Sequence, residues 1–291
     1  MTSNDTRRGI WLMVATMAIF ASQDGLSRHL AEVTNAPMIV MVRYWFFAAF
    51  VIAMARRQKG SVRAAAATPQ PWIQFARGAL LSLEIIVMVI GFVFLGLIES
   101  HAVFAIYPLL VGALSGPVLG EYVGWRRWTA IGVGFVGVLI ILQPGMGVFS
   151  LYSLIPFLAA LMFALYGLLN RYAARRDDAA TSFFWTGVVG AVITTAIGVF
   201  FWEPMGTTDW LLMACLCVTG MAGHYCMIKA YEVAEASAIQ PFAYLQLVFV
   251  SVIGIAVFDE TLRTNVVIGA ALTVAAGLFA LHRERVKKLH H

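Results

Sequence analysis

Apolar residues run through this chain in stretches of about 20, cut by short clusters of charged, polar or Pro-Gly residues, and a stretch of that length is what an α-helix needs to cross a bilayer. Cutting at the clusters predicts helices over roughly 10–30, 36–55, 72–94, 98–119, 127–143, 151–171, 181–201, 209–230, 236–258 and 264–282. Too little chain is left between them for a soluble domain. The pattern predicts an all-α membrane protein of ten transmembrane helices, with residues 1–9 as an N-terminal tail and 283–291 as a basic C-terminal tail.

The two halves of that pattern resemble each other. "FASQDGLSR" from Phe20 to Arg28 lines up with "FALYGLLNR" from Phe163 to Arg171, and "IESHAVFAIYPLLVGALSGPVLGEYV" lines up with "AEASAIQPFAYLQLVFVSVIGIAVFDETL". Each of the latter pair closes on an acidic helix end, Glu121 or Glu260, and both alignments have an offset of about 140 residues, which points to an internal repeat. The predicted units are residues 10–143 and 151–282, joined by a linker at 144–150. Five spans is an odd number, so the second copy enters the membrane from the opposite side, giving two inverted five-helix repeats.

Charge orients this arrangement. With the N-terminus in the cytoplasm, sixteen of the twenty Lys and Arg fall in cytoplasmic segments and only Arg28 and Arg263 fall outside. That is the positive-inside pattern, and it puts both termini in the cytoplasm. Arg43 and Arg77 lie at membrane depth. The net charge of +5 therefore reflects topology and gives no support for nucleic-acid binding. Composition agrees, with 61% hydrophobic and 12% charged residues and a mean hydropathy of +0.83. The first apolar stretch follows Arg7 and Arg8 but is about twice as long as a signal-peptide core and lacks a small-x-small cleavage site, so it reads as a retained span. Cys215, Cys217 and Cys226 all fall in one apolar segment and make no disulfide framework or metal site. No cofactor or metal is expected, and the terminal His290 and His291 read as a tag remnant.

Polar residues inside the spans are the candidates for chemistry, since an ionised group at mid-bilayer costs about 2.5–3.5 kcal/mol on insertion scales unless it is paired or faces water. Glu84, in "SLEIIVMVI", is either a functional carboxylate or a hydrogen-bonded structural one. Met88 shares its helix face and could supply adaptable apolar contact, while Arg77 is expected to snorkel to the cytoplasm. Asp24 is expected to form a structural ion pair with Arg28 at i+4 and Arg43 across the first hairpin. Gln23 and its repeat counterpart Tyr166 can line an interface cavity, and Phe163 shares a face with Tyr166. Tyr107 precedes Pro108 inside the fourth span, and Pro241 opens the ninth ahead of Tyr244 and Gln246; both prolines are candidate kinks. His224 and Tyr225 interrupt the eighth span and His101 starts the fourth; each histidine could carry protons or simply pack. Gly112, Gly116 and Gly120 form a ridge that lets another helix approach.

The two five-helix halves, their Arg-ended first helices, the Glu121 and Glu260 helix ends and the Gly-rich last helices "IGVGFVGVLIIL" and "VIGAALTVAAGLFAL" resemble the EamA branch of the drug/metabolite transporter superfamily over the whole chain. Within that branch the resemblance is to bacterial amino-acid exporters. It implies a multi-pass inner-membrane carrier that exports aromatic and other neutral amino acids by alternating access through a cavity between the repeats. The cavity residues are then expected among Gln23, Glu84, Met88, Tyr107, Phe163, Tyr166, His224, Tyr225 and Gln246. Two complete halves in one chain need no partner subunit, so the expected partners are the solute and the lipid, with the chain acting as a monomer. The other readings are a carrier of a nucleotide sugar or drug-like cation, an intramembrane enzyme, or a passive assembly subunit. Against an enzyme, no HExxH site, acidic prenyl-phosphate motif or Ser/His/Asp set is present.

Overall fold

The computed structural model describes residues 3–120, 123–143, 151–234 and 239–289. Within these it leaves out the side chains of residues 3–5, Arg127, Tyr225, Ile228, Tyr231, Glu232, Gln240 and 283–289. Glu121 and the expected linker 144–150 lie outside the described residues. The first half contains α1 (Ser3–Val33), α2 (Ala36–Lys59), α3 (Val62–Ala66), α4 (Pro71–Leu95), α5 (Leu97–Phe104), α6 (Tyr107–Leu119) and α7 (Trp125–Leu142). The second contains α8 (Leu154–Ala173), α9 (Ala179–Gly198), α10 (Thr207–Val233), a 3₁₀ turn over Gln240–Tyr244, α11 (Leu245–Phe258) and α12 (Thr264–Leu289).

Eight helical segments among the described residues are long and apolar enough to cross a membrane. The other two predicted spans coincide with α7, whose apolar part Trp128–Leu142 is shorter, and with α10. The expected terminal tails are helical where described: α1 starts at Ser3 and α12 continues to Leu289. Short polar caps fix the turns. Asn35 accepts from the Met38 N–H at the start of α2, Ser61 from Ala64 at the start of α3 and Asp178 from Thr181 at the start of α9, each satisfying an otherwise orphaned helix donor.

The fourth predicted span is broken in the middle. α5 ends at Phe104 and α6 restarts at Tyr107, with Pro108 in its first turn where the missing N–H costs no helix bond. The ninth opens with the Gln240–Tyr244 turn, containing Pro241, before α11 begins.

Helix pairing has an internal symmetry. Exchanging α1 with α8, α2 with α9, α4 with α10, α6 with α11 and α7 with α12 turns the α1–α10 pair into α8–α4, α1–α11 into α8–α6 and α4–α9 into α10–α2, all of which are packed pairs. The α2–α9 and α7–α12 pairs map onto themselves. Both are antiparallel. Along α2–α9, Asn35 Nδ2 donates to the Phe201 carbonyl (2.8 Å), Trp45 Nε1 to Thr195 Oγ1 (2.7 Å), and Lys59 pairs with Asp178. Along α7–α12, Asn265 Nδ2 donates to the Ile141 carbonyl (3.0 Å) and Thr273 Oγ1 to the Gly134 carbonyl (3.2 Å). A rotation that exchanges antiparallel equivalents must run across the helices and turn the bundle end over end.

Candidate functional site

The helices enclose a cavity of about 360 Å³, lined from both halves and reached by residues of α1, α2, α4, α5, α6, α8, α10, α11 and α12. It extends from Met13, Met227 and Leu281, toward the end where α1 begins, to Ser27, Phe92 and His101. Its size is at the lower end for a site that holds a drug-sized ligand.

Eight of the nine residues expected to line a cavity do surround it: Gln23, Glu84, Met88, Tyr107, Phe163, Tyr166, His224 and Gln246. The side chain of Tyr225 lies outside those described. Pro108 is on the wall, and Pro241 is not among the lining residues. The lining also includes Phe20, Phe92, His101, Phe104 and Tyr244, none of which was expected there from the sequence.

One wall is aromatic because the break between α5 and α6 turns Phe104 and Tyr107 toward α8. Tyr107 meets Phe163 edge-on (5.0 Å between centroids, 90°), and Phe104 and Tyr166 pack against the same ring at 5.5 and 5.9 Å. Such edge-to-face and tilted pairs are the favoured aromatic geometries. His224 packs edge-on to Phe20 at 5.2 Å.

Two acids and one arginine reach the cavity along with His101. Glu84 is 4% exposed, lines the cavity and makes no hydrogen bond or ion pair with any described residue. Arg43 lies against Gln23, whose amide oxygen, in the orientation that satisfies both groups, accepts from the guanidinium at 3.0 and 3.2 Å. Asp24 Oδ2 takes hydrogen bonds from Gln246 Nε2 (2.8 Å) and His101 Nε2 (3.1 Å).

The expected Asp24–Arg28–Arg43 ion pair does not form. Arg28 turns forward along α1 to Glu32 (2.8 Å) and to Glu260, and stacks over the Phe258 ring at 4.1 Å. Glu260 is a stronger attractor because it caps the start of α5, accepting from the backbone N–H groups of Leu97 (2.6 Å) and Ile98 (2.9 Å). Free amides and the helix dipole hold a carboxylate at that place, and the carboxylate then holds the arginine. Gly96 makes the approach possible: its φ is +89°, and a Cβ there would lie 2.8 Å from Glu260 Oε1.

Arg77 does not snorkel either. It is 3% exposed, lies 5.7 Å from the Tyr166 ring, and donates to Asn170, to the Ser182 carbonyl and to Gln74 Oε1 (2.9 and 3.1 Å). Gln74 passes the interaction on to Asp177 (2.7 Å). Burial works against the Asp177 charge, but bonds from Gln74, Thr68 and Gln70 outweigh it and hold its carboxyl below the usual range. This network ties α4, α8 and α9 together at the end of the bundle where α1 begins. No group of three or more His, Cys, Asp or Glu among the described residues could hold a metal.

Comparison with known proteins bears on what passes through such a cavity. The sequence model of the EamA-like transporter family matches residues 7–143 and again 150–281. The S-adenosylmethionine uptake transporter of Rickettsia prowazekii is 24% identical over 277 residues, covering 95% of this chain and 93% of that protein. The riboflavin transporter of Vibrio cholerae is 33% identical over 181 residues (62% of this chain, 61% of that one), and that of Rhizobium johnstonii is 30% identical over 223 residues (76% and 74%). A protein of known crystal structure superposes with a TM-score of 0.60 at 17% identity over 97% of this chain and 98% of its own, a likeness of fold alone.

Proposed function

The chain belongs to the EamA-like transporter family and is a membrane metabolite transporter rather than an enzyme, and from that premise we propose that it carries a small solute that joins a planar aromatic group to an amino-acid-like or cationic end. S-adenosylmethionine has this chemistry, with an adenine ring, a sulfonium and an α-amino acid. The observation that carries the reading is Glu84: a buried carboxylate facing the cavity with no hydrogen-bonding partner among the described residues. An unpaired charge in that setting is costly, and a cation from the solute offsets the cost. Arg43 can take the solute carboxylate, and the Phe104, Tyr107, Phe163 and Tyr166 rings its planar part.

The amino-acid exporter expected from sequence resemblance is narrowed by this. The similar proteins are named for S-adenosylmethionine uptake and for riboflavin, so we take the amino-acid end as one part of a larger solute and leave export out of the proposal. A second reading, a neutral flavin-like solute, is favoured by the aromatic wall and by the riboflavin transporters among the relatives. It gives Glu84 no partner and ranks second.

We further propose ten spans arranged as two inverted five-helix repeats, with both termini in the cytoplasm of a bacterial inner-membrane protein that works as a monomer. The double family match, the exchangeable helix pairs and the antiparallel α2–α9 and α7–α12 contacts support this. Alternating access then consists of rocking one half against the other around the cavity.

Counterflow into proteoliposomes of the purified full chain tests the substrate class. Labelled S-adenosylmethionine is expected to accumulate against an internal pool. Accumulation of riboflavin alone would establish the second reading, accumulation of tryptophan alone the simple amino-acid reading, and no counterflow of any of the three would overturn the proposal.

A further inference from the structure

His101 sits on the cavity wall with both ring nitrogens engaged. Nδ1 lies 3.0 Å from the carbonyl oxygen of Leu97, an atom that only accepts, so Nδ1 carries a hydrogen. Nε2 lies 3.1 Å from Asp24 Oδ2. With Nδ1–H fixed, one further proton must sit between Nε2 and the carboxylate, because a bare ring nitrogen would otherwise face an anion with its lone pair. The same Oδ2 also accepts from Gln246. The pair therefore holds one proton between Nε2 and Oδ2, with Gln246 donating to the same oxygen. The ring also stacks on Phe92 at 5.0 Å and 7°, which fixes its plane.

We propose that the Asp24–His101 pair is the proton-binding site of this carrier, and that the carrier exchanges one proton for its solute. The exchange half of this rests on the proposed function, that is, on the cavity taking a solute with one net positive charge such as S-adenosylmethionine. S-adenosylmethionine carries two cationic groups, an ammonium and a sulfonium; with one at Glu84, the other takes the place of the proton held between Asp24 and His101, that proton passes to water in the cavity, and with the solute carboxylate at Arg43 the net charge of the site is unchanged. The other charged and titratable groups lining the cavity are Arg43 from α2, Glu84 from α4, Tyr107 from α6, Tyr166 from α8, His224 from α10 and Tyr244 from the turn before α11. Arg28, one turn on along α1, is engaged by Glu260.

The proton also reaches the helix contacts beyond the cavity. The peptide group joining Leu97 and Ile98 accepts from His101 at its oxygen and donates through its N–H to Glu260 Oε2 at 2.9 Å, and Glu260 holds Arg28. Asp24, His101, that peptide, Glu260 and Arg28 thus form one ring of polar contacts through α1, α5 and the end of α11. Removing the proton turns the Asp24–His101 attraction into repulsion and opens the ring at that point, loosening α5 from α1.

Two measurements test this. In lipid nanodiscs without solute, nitrogen NMR of ¹⁵N-histidine-labelled full chain is expected to show His101 with Nδ1 protonated and Nε2 sharing a proton with its partner, the Nε2 resonance moving in Asp24→Asn. A bare Nδ1, or an Nε2 resonance indifferent to Asp24→Asn, overturns the proton site. In proteoliposomes, an imposed pH gradient is expected to drive S-adenosylmethionine uphill, and the ratio of gradient-driven to equal-pH counterflow rates is expected to fall at least tenfold in His101→Gln. An unchanged ratio overturns the exchange. If S-adenosylmethionine shows no counterflow at all, the substrate reading fails and the NMR measurement still decides the proton site.

Discussion

Glu84 and Asp24 are both acids in apolar runs, and their surroundings give them different roles. Asp24 is satisfied by His101 and Gln246, whereas Glu84 has no such donors and faces the cavity. Replacing Glu84 by Gln keeps the shape and removes the charge, so it is expected to weaken solute binding by about ten- to a hundredfold, the worth of a charged hydrogen bond at about 1.5–3 kcal/mol. The melting temperature of the empty protein is expected to hold or rise, since a desolvated charge is gone. Solute titration and thermal unfolding of the same preparation check both halves; a variant with wild-type affinity makes Glu84 structural. Glu84 was legible as an anomaly because a lone carboxylate in a hydrocarbon run needs an explanation in any fold. The partner of Arg28 was not, because Glu260 is 232 residues away and no local spacing points to it.

Elements were the most legible level. Helix positions follow from apolar run length, which the bilayer dictates, and they agree with the structure to within several residues apart from the two helical tails. The break between α5 and α6 is marked in sequence by Pro108, yet its consequence, an aromatic wall facing α8, depends on how the two halves pack. Small residues in the last helix of each half mark a close crossing that sequence alone could not pair. At Gly269 a Cβ would lie 2.6 Å from Ile141 Cγ1, so Gly269→Val is expected to force α7 and α12 apart and destabilise by about 1–3 kcal/mol, the usual cost of overpacking. Thermal unfolding in detergent reads this out, with Gly132→Val as the control, since space around Gly132 is open. Equal losses in the two variants would contradict the crossing.

At the scale of the molecule, the halves are tied at one end by Lys59 of α2 and Asp178 at the start of α9. The Lys59 ammonium and the Thr181 N–H hold the Asp178 carboxyl down to about 2, below its ordinary 3.8. Because the folded value is the depressed one, the contribution is complete above about 4 and is lost as pH falls toward 2. The pair is largely exposed, so the effect is small. The melting temperature of the wild type is expected to fall through that window more than that of Asp178→Asn, and parallel curves would show the pair to be neutral. The proposed inverted arrangement makes a second prediction: single cysteines placed at Thr6 and at His282 in a cysteine-free background should both label only from the cytoplasmic side. Labelling from opposite sides would break the ten-span scheme. The sequence by itself determined that the chain is a bundle of membrane helices, that its halves are alike and which polar residues needed a reason to be there, because hydrophobic run length and the cost of a buried charge act locally. Only the tertiary structure decided which acid is satisfied and which is open, which arginine meets which carboxylate, and that His101 joins Asp24, because those contacts depend on groups far apart in the chain, within the first half for Asp24 and His101 and across the halves for Arg28 and Glu260, being brought together by helix packing.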